Sequence, residues 1–114
     1  RSTLMRSSAA SDVYKRQWGS FTILDIQPES LTIKIILRPG NELKYHSHEH
    51  RDEVWTVLSG TGYTIVDDVR REVKSGDVIT LPLGCRHTIH ATSELQVIEV
   101  QTGAILDADD KIRY

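Results

Sequence analysis

The residues able to do chemistry gather in one stretch, Gly40 to Gly60, which reads GNELKYHSHEHRDEVWTVLSG and holds three of the five histidines. His46 and His48 stand two apart. In a β-strand residues i and i+2 point to the same face, so both imidazoles would aim into one space. Glu53 follows five residues after His48, far enough for the chain to turn and send a carboxylate back from the next strand. His87 lies in a second punctuated stretch, Gly76 to Ala91. Three imidazoles and a carboxylate suit a first-row divalent metal, and ligand type alone does not choose among zinc, manganese, iron, cobalt and nickel. His50 continues the parity of His46 and His48. It could replace His46 as a ligand, act as an acid–base group or sit in the turn, and the last two readings are preferred.

Other polar residues flank these positions. Lys44, Arg51 and Arg86 could bind an anionic group such as a phosphate, for which guanidinium forks are well shaped. His90 has parity opposite to His87 and is expected to face outward. Cys85, two residues before His87, is read as a small buried filler beside the site. Trp55 and Tyr63 are read as core or barrel-lining aromatics.

Such a site needs rigid elements, and the chain supplies short strands with turn signals between them. Phe21–Asp25 and Leu31–Leu37 are rich in β-branched and large apolar residues, with Gln-Pro-Glu-Ser between them. Strands are expected next at Leu43–His48, Val54–Leu58, Tyr63–Val66, Arg70–Lys74, Val78–Leu81, Thr88–His90 and Leu95–Gln101. Asp67-Asp68 reads as a hairpin turn, and Pro82 ends a strand, as its missing N–H requires. No apolar stripe of helical period extends beyond two turns. The acidic tail, Leu106–Tyr114, is expected to form a short helix or a loop. Many short strands at regular spacing mean an all-β sandwich or barrel.

Residues 1–17, RSTLMRSSAASDVYKRQ, do not read like the rest. They are polar and lack strand or helix periodicity, and Ser7 to Gln17 matches the translation of a transposon-type sequencing adapter. The segment is therefore read as a non-native or disordered N-terminal piece, with one folded domain over residues 18–114. The 114 residues, 39% of them hydrophobic, are enough for a single modest core. A net charge of −2 with scattered basic residues gives no nucleic-acid or membrane surface. A single cysteine cannot form an internal disulfide and fits a reducing, cytoplasmic setting.

The spacing of these residues carries a resemblance. Gly40, five residues, His46-Ser47-His48, four residues, Glu53, six residues, Gly60 is similar to the first cupin motif. Gly76, five residues, Pro82-Leu83-Gly84, two residues, His87 is similar to the second, with Ala91 where an Asn usually closes it. Two ordered patterns fifteen residues apart are far more specific than a lone His-x-His. The resemblance implies a cupin double-stranded β-helix, a jelly-roll barrel, with a divalent metal inside held by His46, His48, Glu53 and His87.

A narrower likeness is carried by Trp18-Gly19-Ser20-Phe21, by the run from His48 to Trp55, by Ile98-Glu99-Val100-Gln101-Thr102-Gly103 and by the acidic ending. These resemble the type II mannose-6-phosphate isomerase cupins, which often carry Gln where this chain has His46. Such cupins occur alone or as the C-terminal module of mannose-1-phosphate guanylyltransferases. The likeness implies a metal-dependent isomerase of mannose 6-phosphate and fructose 6-phosphate, working through an enediolate. His50 would be the base, and Arg51, Arg86 and Lys44 the phosphate-binding residues. A homodimer and a fused nucleotidyltransferase domain upstream are the expected partners. The alternatives are a cupin dioxygenase and a non-catalytic sugar-binding module that regulates a transferase.

Overall fold

The computed structural model describes residues 13–103 and the backbone of residues 112–113. Eleven strands run in order: β1 (Tyr14–Arg16), β2 (Gly19–Gln27), β3 (Ser30–Leu37), β4 (His46–Ser47), β5 (Asp52–Ser59), β6 (Thr61–Val66), β7 (Val69–Lys74), β8 (Val78–Leu81), β9 (His87–Ala91), β10 (Leu95–Thr102) and β11 (Ile112–Arg113). They form two antiparallel sheets, one ordered β1-β2-β3-β10-β5-β8 and the other β11-β4-β9-β6-β7. This is the expected all-β jelly-roll architecture. Among the described residues no helix is long and apolar enough to cross a membrane.

Period-two alternation decides what fills the space between the sheets. On β3, Ile33, Ile35 and Leu37 are buried, and on β5 so are Glu53, Trp55 and Val57. On β10 the buried set is Leu95, Val97, Glu99 and Gln101. Because β5 and β10 are antiparallel, Val57 pairs with Val97, Trp55 with Glu99 and Glu53 with Gln101. Apolar residues therefore coincide at one end of the barrel and polar ones at the other. That gradient creates both a core and a polar chamber from the same two strands.

The turns obey the chemistry of their residues. Asp67 and Asp68 both have positive φ, 47° and 67°, which the tight β6–β7 hairpin demands and Asp tolerates. Gly60, at φ 91°, joins β5 to β6; a Cβ there would meet the Glu94 carbonyl oxygen at 2.0 Å, so only glycine fits.

Three expectations differ from what the chain does, and a fourth falls mostly outside the described residues. Leu43–His48 yields only the two-residue β4: the Leu43 N–H bonds to the Ile89 carbonyl of β9, but the carbonyls of Leu43 and Lys44 bond to the side chains of Thr88 and His46 and not to backbone N–H groups of a neighbouring strand. Tyr63 faces outward rather than into the barrel: its neighbours Gly62 and Thr64 take the inward parity. There its ring stacks on His90 at 4.7 Å and carries the Arg70 guanidinium at 3.8 Å. The reading of residues 1–17 as non-native falls mostly outside the described residues. Within them, Tyr14–Arg16 do pair with Gly19–Phe21, where the open edge of β2 offers free backbone groups and Phe21 stacks on Tyr14. In the tail, the backbone of Ile112–Arg113 pairs with β4 as a strand, and residues 104–111 and 114 lie outside the described ones.

Candidate metal centre

Four buried side chains meet at the polar end of the barrel. His46, on β4, sits in register opposite His87, the first residue of β9, and both belong to the five-stranded sheet. His48 follows β4 directly, and Glu53 reaches across from β5 in the other sheet. One ligand atom from each of the four lies within 4.8 Å of all the others. That is close to the span set by bonds of about 2.0–2.2 Å to a common centre. The rings of His46 stand 4.8 Å from His48 and 4.3 Å from His87, edge to face.

Hydrogen bonds on the outer nitrogens fix which ring atoms point inward. His87 donates from Nδ1 to the Cys85 carbonyl at 3.1 Å, and His46 donates from Nδ1 to the Lys44 carbonyl. A donor at Nδ1 leaves Nε2 as a lone pair, which is the tautomer a metal ligand requires. The His87 Nε2 lone pair then faces Glu53 Oε1 at 3.4 Å. Both atoms are buried, and neither has a hydrogen-bond partner among the described residues. Two lone pairs held face to face away from water are costly unless a cation lies between them. The donor set and these orphaned atoms fit a divalent metal.

Electrostatics point the same way. Burial by itself would raise the Glu53 carboxyl, but in the metal-free site a protonated His87 opposite, Arg51 and a protonated His48 outweigh it, holding the pKa at about 2. Glu53 is thus ionised and ready to ligate at any ordinary pH.

Arg51, expected as a phosphate binder, lies inside this cluster. It is buried, donates from Nε to Glu53 Oε2 at 2.8 Å and places Nη2 3.0 Å from His48 Nε2. Its guanidinium therefore occupies the same lone pairs that a metal would take, as an internal counter-cation. Arg51→Ala is expected to tighten metal binding about tenfold, since charge-assisted bonds of about 1.5–3 kcal/mol no longer compete. The metal-free protein should lose stability, because Glu53 keeps its charge without its partner. Chelator competition and thermal unfolding read the two effects; weaker metal binding in the variant would refute the competition.

Two members of the cluster, His46 and Glu53, line a cavity of about 480 Å3. Trp18, Phe21, Ile23, Leu31, Ile33 and Ile35 supply its apolar side, and Lys44, His46, Arg51, Glu53, Glu99 and Gln101 its polar side. Lys44 is exposed at this cavity. Arg86 is exposed and does not line it; its backbone N–H bonds to Asp67 Oδ1 at 2.8 Å, beside the β6–β7 hairpin. His50 is also exposed and outside the lining, with its carbonyl packed close to Gly103. Cys85 is buried, its sulfur 3.7 Å from His87 Nδ1. His90 faces outward, bonded to Glu42 at 3.1 Å.

Glu99 and Gln101 are cavity residues with no assigned role in the sequence reading. Trp55 donates from Nε1 to Glu99 Oε1 at 2.7 Å, and Gln101 donates from Nε2 to Glu99 Oε2 at 2.6 Å. Burial and the neighbouring Glu53 charge push the Glu99 carboxyl up to about 7, against the opposing pull of these two bonds and of Arg51. The signal for both was available: in Leu95-x-Val97-x-Glu99-x-Gln101 two polar residues continue the parity of two core residues.

Comparison with known proteins places this geometry in context. The family model described as mannose-6-phosphate isomerase C-terminal matches residues 5–114. Mannose-1-phosphate guanylyltransferase 2 of Escherichia coli O157:H7 is 37% identical over 100 residues, covering 86% of this chain and 21% of that protein. The xanthan biosynthesis protein XanB of Xanthomonas campestris pv. campestris strain B100 is 32% identical over 101 residues, covering 87% and 22%. The chain thus spans about one-fifth of the length of these curated relatives. Among solved structures, an RmlC-like cupin from Shewanella frigidimarina NCIMB 400 superposes with a TM-score of 0.78 at 24% identity, covering 84% of this chain and 86% of that one. That likeness shows the cupin fold.

Proposed function

The chain belongs to the mannose-6-phosphate isomerase C-terminal family, and from that premise we propose that it is a metal-dependent sugar-phosphate isomerase, interconverting mannose 6-phosphate and fructose 6-phosphate through an enediolate. The observation that carries this reading is the shared wall: two members of the four-ligand cluster, His46 and Glu53, line one cavity together with a buried arginine and a further carboxylate. A divalent cation held by His46, His48, Glu53 and His87 would supply positive charge to stabilise the oxyanion of the enediolate.

The chain's own residues do the rest. Arg51, once a cation takes over its two lone-pair partners, has its guanidinium fork available for the substrate phosphate, with Lys44 beside it at the cavity. Outside the ligand set, Glu99 is the carboxylate of the described lining, and it takes the proton-carrying role that the sequence reading gave to His50. It accepts the proton from C2 as the enediolate forms and returns it to C1, while the hydroxyl proton on O2 passes to O1. The apolar side of the cavity limits exchange of these protons with water.

Glu99 must be ionised to begin this cycle. Turnover of the metal-loaded protein should therefore rise with pH along an acid limb below the value of about 7 that Glu99 has without metal, because a bound dication favours its ionised form. Measured kcat–pH profiles should keep the limb in His50→Ala and show near-complete loss of turnover in Glu99→Gln. A limb abolished by His50→Ala, with Glu99→Gln active, would return the proton to His50. The reading as a whole is tested by loading the protein with several divalent metals in parallel and assaying conversion of mannose 6-phosphate, with His87→Ala as the control. Metal-dependent turnover supports it. Stoichiometric metal without turnover refutes it.

One observation favours a second reading. The relatives above include guanylyltransferases several times longer than this chain, so a non-catalytic sugar-phosphate-binding module of a nucleotidyltransferase is the competing proposal. Mannose 6-phosphate binding without conversion is its expected signature.

A further inference from the structure

One acceptor in the cavity wall has no use in the chemistry above. Gln101 is 5% exposed, lines the cavity, and its Oε1 is buried without a hydrogen-bond partner among the described residues. The other two orphaned atoms, Glu53 Oε1 and His87 Nε2, belong to the metal cluster; this one does not. An unpaired buried carbonyl costs as much as a lost hydrogen bond, so its retention beside a cavity calls for a partner that arrives from outside.

Its orientation is enforced by a chain of donors. Trp55 Nε1 is donor-only, so Glu99 must offer it an oxygen. The second Glu99 oxygen, ionised, can only accept, so Gln101 must turn its NH2 toward Glu99. The amide oxygen is then forced to the opposite side. Reversing the amide would set two oxygens against each other at 2.6 Å, the present length of that contact. With Glu99 ionised, the relay Trp55–Glu99–Gln101 thus presents an acceptor to whatever enters. A cation bound at the neighbouring cluster reinforces this by favouring ionised Glu99.

We infer that Gln101 is a hydroxyl-recognising residue of this cavity, its side-chain oxygen accepting a hydrogen bond from a polyhydroxylated substrate, with Glu99 and Trp55 as the positioning residues that fix its polarity. The inference rests on the sugar-phosphate reading for the choice of substrate, but the relay is a property of the chain. It gives Glu99 a duty separate from proton transfer, and it makes the site selective for a hydroxyl at one position over a hydrogen or a carbonyl there.

The test uses isosteric exchanges. In Glu99→Gln, Trp55 still demands an oxygen, so residue 99 turns its NH2 toward Gln101. Gln101 must then reverse and present a donor. In Glu99→Gln/Gln101→Glu the NH2 of residue 99 meets a carboxylate, whose second oxygen restores the acceptor. Binding of mannose 6-phosphate to the manganese-loaded protein is measured by calorimetry, alongside a panel of unphosphorylated sugars and nucleosides.

Gln101→Leu should weaken binding about tenfold, the loss of one hydrogen bond. Glu99→Gln should weaken it by at least as much, and the double exchange should recover affinity to within about threefold of wild type. Side-chain amide NMR of Gln101 should show protons deshielded by a carboxylate in wild type and not in Glu99→Gln. Unchanged affinity in folded Gln101→Leu and Glu99→Gln, or an amide signal indifferent to residue 99, overturns the inference. If mannose 6-phosphate does not bind but another hydroxylated ligand does and follows this pattern, the substrate reading fails while the relay stands. If no hydroxylated ligand binds the metal-loaded protein, the recognition role is overturned as well.

Discussion

His48→Ala is expected to abolish stoichiometric metal binding while leaving the barrel folded. A four-ligand site of this kind holds a divalent ion with roughly 10–16 kcal/mol of apparent binding free energy, so removing one ligand takes about 3–4 kcal/mol, several hundred-fold in affinity. The fold should survive for a specific reason. Glu53, the buried anion of the site, keeps its 2.8 Å pair with Arg51 when His48 is gone. No charge is stranded, and the main loss is an imidazole at the barrel's end. Glu53→Ala contrasts with this: it removes the metal ligand and also leaves the Arg51 guanidinium buried without a carboxylate, which is destabilising in its own right. Metal analysis of the purified variants and their melting curves separate the two. Full metal occupancy in His48→Ala would overturn the ligand assignment.

The second large effect lies in the core. Trp55→Ala should cost about 3–5 kcal/mol through the cavity it opens, with a further loss from the donor withdrawn from Glu99. Trp55 is fully buried at the point where the apolar and polar halves of the barrel meet, edge-on to His87 at 5.4 Å. A domain of this size has about 5–15 kcal/mol in total, so the variant should be close to unfolding at room temperature. Trp55→Phe keeps most of the volume and isolates the lost N–H, for an expected cost nearer 1–3 kcal/mol. Urea unfolding of both variants measures this. A midpoint for Trp55→Ala close to wild type, at an equal slope, would show that the ring is not the barrel's central packing element.

Much of this was legible before the fold was known. Alternation located the strands because each sheet buries one face, and the pairing of His46-x-His48 with Glu53 and His87 foretold a cluster, though not that its members come from different sheets. What escaped was set by parity and by partner choice. Arg51 has the parity of Glu53, two residues on, and so enters the barrel with it; its guanidinium suggested a phosphate binder rather than an internal partner of the ligand carboxylate. The sequence does not say that the short loop between His48 and Asp52 leaves His50 exposed. Glu99 and Gln101 stand on a strand whose other inward residues are apolar, and their meaning depends on the register that sets Gln101 opposite Glu53. Register between strands more than forty residues apart is a tertiary property, beyond any local pattern. Tyr63 shows the reverse error: a large aromatic looks like core, yet Gly62 and Thr64 hold the inward places and leave the ring to stack outside.

The edge-on contact between Trp55 and His87 has an optical consequence. The chain contains two tryptophans, and one of them touches a ligand of the metal cluster. Loading the cluster with a paramagnetic ion such as cobalt or copper should quench Trp55 emission by short-range electron and energy transfer, whereas zinc, with a filled d shell, should leave the intensity largely intact. Trp18, half-buried on the apolar side of the cavity, would respond to occupancy of that space instead. The molecule thus carries its own two-channel fluorescence gauge, able to time ion loading and ligand entry separately without a label.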